Sequence, residues 1–415
     1  MGWAARWARD LRLVALAMLL TLFGVAMIYS AGVTISPQRV VQGAWVRQLI
    51  WFVLALGAFT AVVRVPSRWF EWAATPAYVV TMVLLAITLV IGTGAGTAAG
   101  TRSSIALGPL RFQPAELAKL ATILMIARHL ANSSWGEASL KDVLVPAALA
   151  VLPLMLVLLQ PDLGTAQAFI GVLFAMLFWA GFPLRILVLV ASPGVALLLS
   201  FDTIVWSGYM FVVLVGLYVL RHRLFLHESA AVAIANLAAG TIARPLWNSL
   251  AEYQQNRLLV FLNPDIDPRG AGYHLIQSKI AIGNGGLWGR GFTEGSQKRY
   301  DFLPEQHTDF IFSVVGEELG FIGVMAVLVL FGLLLARLVR MAEDSDDPFA
   351  GLVLLGIFGA WFVHIVVNIG MTIGLVPITG IPLPFVSYGG TFLLMSWFAV
   401  AIAASAGRGE GGTRS

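Results

Sequence analysis

A chain of 415 residues in which 59% are hydrophobic and 12% charged departs from a soluble globule, where charged residues make up about 25%. Its mean hydropathy of +0.85 excludes intrinsic disorder. Its 42 glycines follow no triplet period, which excludes collagen, and the absence of cysteine excludes a disulfide-stapled or Cys-ligated zinc domain. The net charge of +4 comes from Lys and Arg scattered between apolar runs, not gathered on one basic face, so nucleic acid is not expected as a partner. What remains is an all-α polytopic integral membrane protein.

A helix that crosses a membrane needs about 20 mostly apolar residues. In chain order the runs that meet this are 11–31, 48–64, 75–92, 114–131, 143–160, 165–181, 184–200, 203–220, 229–250, 310–338, 349–370 and 387–405, twelve in all. The eighth and ninth are the weakest, and the ninth holds Asn236, Arg244, Pro245 and Asn248. The first is too long for a signal peptide and no A-x-A site follows it, so no cleavage is expected. Arg6, Arg9 and Arg12 precede it and place the N-terminus in the cytoplasm. Twelve spans then put Arg64, Arg68, Arg128, Lys141, Arg185, Arg221, Arg223, Arg337, Arg340, Arg408 and Arg414 on the same side. Ten spans keep this parity if 203–250 is a re-entrant or interfacial hairpin. The outward segments are 93–113, the turn at 160–165, the long stretch 251–309, and 376–387, each with polar residues beside Gly and Pro.

Ionisable groups inside spans are costly, so each needs a reason. The fourth run opens Gln113-Pro114-Ala115-Glu116-Leu117-Ala118-Lys119. Pro114 suits a first helical turn. Glu116 and Lys119, three apart, share a face and can pair; the pair either neutralises itself or lines an outward polar cavity. In Gln160-Pro161-Asp162-Leu163-Gly164-Thr165, Pro and Asp make a turn and Asp162 can cap the next helix, which does not stop it facing a cavity. Glu305, His307 and Asp309 alternate at the mouth of the tenth run. They can bind a divalent ion or supply a general base, or Asp309 can simply cap the helix from Phe310. Glu317 and Glu318 would lie roughly 12 Å deeper along that helix and would need a cavity, a partner or a proton.

The stretch 283–291, with Gly283, Gly285, Gly286, Gly289 and Gly291 around Arg290, is not a nucleotide loop: it lacks the G-x-x-x-x-G-K-[ST] spacing. It reads as a flexible turn set or as backbone that lets a ligand approach. Pro382 and Pro384 break any helix before Ser387, so that segment is expected to be irregular or re-entrant.

Five stretches in order resemble the SEDS family, the polytopic peptidoglycan glycosyltransferases of the RodA, FtsW and SpoVE type. They are LGPLRFQPAELAKL (107–120), QPDLGTA (160–166), NRLLVFLNPDIDPRGAGYHLIQSKIAIGNGGLWGRGF (256–292), FLPEQHTDFIFSVVGEELGFIG (302–323) and VNIGMTIGLVPITGIPLPFVSYGG (367–390). The FQP opening and FLPEQHTDF are most like the RodA branch. Residues 101–104 keep the family's Arg, as Arg102, but lack its Trp. The resemblance implies a single SEDS membrane domain over 1–415 with about ten core transmembrane helices. Residues 203–250 then read as an inserted transmembrane hairpin, making twelve, and 251–309 as a large extracytoplasmic loop that carries catalytic motifs.

The resemblance also implies a chemistry. Lipid II is polymerised into a β-1,4 glycan on the outer face of the bacterial cytoplasmic membrane, for cell-wall elongation and shape. The 4-hydroxyl of the incoming GlcNAc attacks the anomeric carbon of the donor MurNAc on its undecaprenyl-linked glycan, with inversion, and undecaprenyl pyrophosphate leaves. Asp309 matches the family's base, and inversion needs no second, nucleophilic carboxylate. Arg102, Lys119, Lys279 and Arg290 are candidate cations for the pyrophosphate, with Glu116 holding Lys119. Gln160, Asp162, Glu305, His307 and Ser387 complete the candidate substrate site. A divalent cation, Mg or Mn, can share the charge, with Asp309 and Glu305 as its candidate ligands. The implied partners are a class B penicillin-binding protein, a transpeptidase, and the elongation machinery. The competing reading is a lipid II flippase, which the intramembrane Glu317 and Glu318 would suit. A non-catalytic scaffold explains none of the polar residues.

Overall fold

The computed structural model describes residues 3–35, 39–94, 102–108, 110–133, 139–220, 225–250, 252–263, 267, 271–300 and 302–407. All twelve apolar runs are helical. The first three are α1 (Trp3–Ala31), which is followed by a short α2 (Arg39–Gln42), then α3 (Ala44–Val62) and α4 (Ser67–Ile91). α4 starts about two turns earlier than hydropathy alone gives. Its lead-in turns are amphipathic, and their exposed Trp69 and Trp72 meet edge to face at 6.1 Å, as suits a membrane–water boundary.

A small hairpin departs from all-α. β1 (Ile105–Leu107) pairs antiparallel with β2 (Leu110–Phe112), turning at Gly108, whose φ is +63°. The middle of the chain gives α5 (Pro114–Ala131), α6 (Leu144–Leu158), α7 (Leu163–Trp179), α8 (Leu184–Leu199), α9 (Thr203–Val219) and α10 (Leu226–Ser249). The stretch 251–309, expected as a large extracytoplasmic loop, contains helices among its described residues. It carries α11 (Glu252–Leu262), α12 (Ala271–Gly285) and α13 (Ser296–Arg299). The chain closes with α14 (Ile311–Glu343), α15 (Pro348–Ile373) and α16 (Gly390–Ala406). Seven of the described helices are long and apolar enough to cross a membrane, and further apolar helices are shorter; the molecule is a multi-pass membrane protein.

α15 is the spine, with 72% of its apolar window buried. It packs on α5, α7, α12, α14 and α16. Gly171 of α7 and Gly359 of α15 face each other so closely that either helix's backbone would meet a Cβ on the other, the small-residue contact by which helices approach in a membrane. Trp397 of α16 packs on Phe52 and Phe59 of α3 at 5.6 and 5.7 Å. α9 and α10 stand beside α8, outside this core. There Asn236 Nδ2 donates to Ser192 Oγ and Tyr209 Oη to the Ser192 carbonyl, both at 2.8 Å, which gives buried Asn236 its partner.

The bundle has two distinct ends. At one, Ser405 Oγ donates to the Val65 carbonyl, Asn132 Nδ2 to Glu71 (3.1 Å), and Leu140 N to Glu228 (3.1 Å), with Lys141 5.3 Å from the Phe225 ring. The start of α10 therefore lies at this end; Arg221 and Arg223 fall outside the described residues. At the other end, Gln306 Nε2 donates to the Ala31 carbonyl at 2.9 Å and Ile35 N to that of Arg299 at 2.9 Å.

α14 is not one continuous helix. Gly320, at φ +64° and ψ −164°, breaks it, a conformation that only glycine adopts without strain. The glycine-rich stretch after α12 inserts at the break and replaces the helix's own hydrogen bonds. Phe321 N donates to the Gly286 carbonyl (2.9 Å) and Ile322 N to that of Leu287 (3.2 Å). Arg290 N donates to the Glu317 carbonyl (2.9 Å) and Gly291 N to that of Glu318 (3.0 Å). Every main-chain group freed at these four positions is satisfied. A Cβ at Gly289 would collide with the Glu318 carbonyl and one at Gly285 with that of Gly316, so these two glycines serve backbone packing.

The partners of Glu317 and Glu318 correct their expected depth. Both glutamates precede the kink, level with Ser30 at the end of α1. Glu317 Oε1 accepts from Ser296 Oγ (3.0 Å) and Gln297 N (2.9 Å). Glu318 accepts from Ser30 Oγ (2.7 Å) and is ion-paired with Lys298, which also donates to the Ser30 carbonyl. Both carboxylates clasp α13 and α1 to the bundle.

Candidate active site

The site is organised by one face of α15. His364, Asn368 and Thr372, four apart, project from the same side, and all are fully buried. Each holds another segment. The Thr372 carbonyl accepts from Ser278 Oγ of α12 (2.6 Å). Asn368 Nδ2 donates to the main-chain carbonyls of Asp309 (3.0 Å) and Ile381 (2.8 Å). His364 Nδ1 lies 3.0 Å from the Pro382 carbonyl, and its Nε2 lies 2.8 Å from Lys119 Nζ. This explains how the irregular backbone between α15 and α16 stays buried: its carbonyls are taken by side chains of the spine.

That irregular segment is sewn to the loop before α14. Ser387 Oγ donates to the Thr308 carbonyl (2.7 Å) and accepts from Leu383 N (2.9 Å). Tyr388 N donates to the His307 carbonyl (2.9 Å). Gln48 of α3 closes the far side, donating to the Ser387 carbonyl (3.3 Å) and accepting from Gly389 N (3.2 Å).

Asp309 stands at this seam, 8% exposed. Gly380 faces its carboxylate: a Cβ there would come within 3.2 Å of Oδ2, and the φ of +73° also favours glycine. The N-cap residue of α14 is Phe310, one position after Asp309, and it makes no side-chain cap bond. Glu305, at φ +48°, accepts from Thr308 Oγ1 at 3.2 Å. The His307 ring lies 5.5 Å from that of Tyr388, and its Nδ1 is buried without a hydrogen-bond partner. Burial holds the His307 imidazole below its ordinary pKa; Glu305 opposes that shift and Arg47 adds to it.

Glu116 and Lys119 form a buried ion pair at 2.9 Å in the first turns of α5, with Lys119 Nζ 5.3 Å from the Phe392 ring centre. A small apolar cleft opens beside them between α5, α15 and α16, walled by Leu120, Trp361 and Phe392. Asp162 caps α7 through Thr165 N (3.0 Å) and also accepts from Gln113 Nε2 (3.0 Å), which ties the start of α5 to it.

The remaining candidates are placed elsewhere. The Gln160 side chain is buried toward α4, donating to the Leu85 carbonyl (3.0 Å). Arg102 is exposed and donates to the Leu89 carbonyl (3.3 Å). Lys279 is exposed against Gly374 at the end of α15. Arg290 is exposed, with Nε on the Asn284 carbonyl (2.9 Å) and its backbone in the α14 kink. Among the described residues no three His, Asp or Glu side chains stand close enough to hold a metal ion.

Sequence reasoning passed over Arg47, Gln48, His274, His364 and Asn368. Arg47 Nε donates to Tyr388 Oη (3.1 Å), and the His274 ring lies 5.9 Å from that of Phe310. The four-residue spacing of His364, Asn368 and Thr372 in an apolar run was the available signal.

The family model described as "Cell cycle protein" (FtsW, RodA, SpoVE) matches residues 10–231 and 200–410. The chain is 34% identical to peptidoglycan glycosyltransferase RodA of Treponema pallidum, over 95% of this chain and 96% of that protein. It is 35% identical to peptidoglycan glycosyltransferase MrdB of Escherichia coli K12, over 93% and 91%. Among solved structures, it is similar to a chain from work on the structural coordination of polymerization and crosslinking by a peptidoglycan synthase complex. That match has a TM-score of 0.69 at 32% identity and covers 95% of this chain and 96% of the other. The crystal structure of Thermus thermophilus RodA gives a TM-score of 0.61 at 28% identity, with 95% of each chain covered.

Proposed function

The chain belongs to the FtsW, RodA and SpoVE family and is a peptidoglycan glycosyltransferase, and we propose that it polymerises lipid II at the seam that holds Asp309. Asp309 takes the proton from the 4-hydroxyl of the incoming GlcNAc as the oxygen attacks the anomeric carbon of the donor MurNAc. The new glycosidic bond forms with inversion, and the bond to lipid pyrophosphate breaks. Lys119, held by Glu116, stabilises the charge that develops on the leaving pyrophosphate.

One observation carries this reading: Asp309 and Lys119 are tied to the same segment. Asn368 links Asp309 to Ile381, and His364 links Lys119 to Pro382, the next residue. A base and a cation held to one short stretch of backbone suit a reaction that needs both at one bond. The flippase reading loses its support, since Glu317 and Glu318 are occupied in holding α13 and α1. No step is routed through a metal ion, because Glu305 is turned onto Thr308 and the donor set does not converge.

We place the protein in the bacterial cytoplasmic membrane, with both termini cytoplasmic and the seam outside. In support, the end of the bundle that holds Val65 and Ser405 is the one expected inside from Arg64 and Arg68. A class B transpeptidase is the proposed partner, supported by the similar chain from a synthase complex of polymerization and crosslinking. The test is purified protein with lipid II, with and without that transpeptidase. Glycan polymer and released undecaprenyl pyrophosphate are expected; lipid II moved across a bilayer with no polymer would overturn the reading.

A further inference from the structure

We propose that His364 is a positioning residue that fixes the Lys119 ammonium against the backbone segment beside Asp309. This rests on the assignment of Lys119 to the leaving pyrophosphate. The geometry sets the direction of the hydrogen bonds. A lysine ammonium has three donors and no acceptor. With Glu116 Oε1 at 2.9 Å, Lys119 is the charged partner of an ion pair, and its contact with His364 Nε2 at 2.8 Å must run from Nζ to the ring. Nε2 is then the acceptor, so the ring proton sits on Nδ1, where it donates to the Pro382 carbonyl at 3.0 Å. The imidazole is neutral, in one tautomer, and its two nitrogens join the lysine to the backbone.

Two of Lys119's three donors are thereby used, one by Glu116 and one by His364, and the third is left for a substrate oxygen. Without His364, Glu116 alone holds the ammonium, and the lysine is free to rotate about that carboxylate. The Pro382 carbonyl also loses its partner, one residue from the Ile381 carbonyl that Asn368 holds beside Asp309. His364 thus aims the cation and steadies the wall of the base together.

The ring has a plain packing role as well, since it stacks on Phe392 at 4.9 Å between ring centres and is fully buried. The two roles make opposite demands on replacements. Gln keeps one donor and one acceptor but no ring. Phe keeps the ring and its stacking but neither nitrogen.

The experiment compares lipid II polymerisation by the purified full chain carrying His364→Gln, His364→Phe, Lys119→Met, or Lys119→Met with His364→Phe, with thermal melting followed for each. We expect His364→Gln to stay within a few-fold of the parent. His364→Phe should fall on the order of 10- to 100-fold, the scale of a misplaced catalytic group. His364→Phe should cost nothing further once Lys119 is Met, because it acts through that lysine. If His364→Phe polymerises as well as His364→Gln or better, or if the two losses multiply in the double variant, the proposal is overturned. If Lys119→Met is inactive while His364→Phe keeps the parent rate, His364 alone has been misassigned. If Lys119→Met keeps the parent rate, the pyrophosphate assignment fails and the His364 proposal with it.

Discussion

Asn368 and Asp309 are joined through the main chain: the Asn368 side-chain amide donates to the Asp309 carbonyl at 3.0 Å, and the Asp309 carboxylate faces Gly380. The same amide reaches the Ile381 carbonyl at 2.8 Å. One buried side chain therefore sets how the loop before α14 meets the irregular segment before α16.

Asn368→Ala leaves both of those carbonyls without their donor. A buried polar group without a partner costs about 1–3 kcal/mol, so a clear drop in the melting temperature of the purified protein is expected. Polymerisation should fall as well, because Asp309 is no longer held in register. Unchanged melting and an unchanged rate would show that the seam is held by other means.

The kink in α14 gives a second test. Gly320→Ala imposes a side chain at φ +64° and ψ −164°, and it lies where Leu287 and Gly289 press in. A strained position of this kind costs about 1–3 kcal/mol, and the clash adds to it. The variant should melt earlier, whereas Gly332→Ala, further along the same helix where an added Cβ would meet nothing within 4 Å, should not.

The clasp at the end of α1 is tested through Lys298. Its side chain and that of Glu318 are both fully buried. Removing one partner of a buried pair is destabilising by about 3–5 kcal/mol. Lys298→Met should therefore melt much earlier than the parent, and adding Glu318→Gln should recover part of the loss. No recovery would mean that Lys298 acts by packing alone.

Two histidines near the seam set a pH dependence. His307 and His274 are both held below the ordinary imidazole pKa of 6.5, chiefly by burial. Glu305 pulls both the other way, while Arg47 presses on His307 and Arg257 on His274. A group whose folded pKa is depressed prefers to be neutral in the fold. Its contribution is intact above the unfolded value and is lost as pH falls below 6.5 toward the folded value. Melting temperature should fall between neutral pH and mild acid, and His307→Gln should flatten that fall. An equally steep fall in the variant would exclude His307 as its source.

How far the sequence could be read follows from the range of each interaction. Glu116 and Lys119 pair as their three-residue spacing requires, and Asp162 caps its helix, because both are local. The apolar runs became helices for the same reason. The glycine motif at 283–291 resisted, because its partner is a helix break some thirty residues on. Glu317 and Glu318 were read as deep from their distance along the helix, whereas their partners lie on α13 and at the end of α1, far away in sequence. Gln160 and Ser387 were read as substrate contacts from their neighbourhood, whereas Gln160 bonds to the Leu85 carbonyl and Ser387 locks two loops together. His364 and Asn368 are single polar residues in an apolar span, and only their shared face marks them.

The measurement that bears most directly on Asp309 as the base is lipid II polymerisation by the purified Asp309→Asn protein. Asn has nearly the size of Asp, and the bond from Asn368 goes to the main chain, so the fold and its melting temperature should persist. Asn cannot take the hydroxyl proton, and loss of a general base costs about 100- to 10,000-fold. We expect a folded protein that still binds lipid II and polymerises it slower by that factor. A rate within a few-fold of the parent would show that the proton goes elsewhere and that Asp309 is not the base.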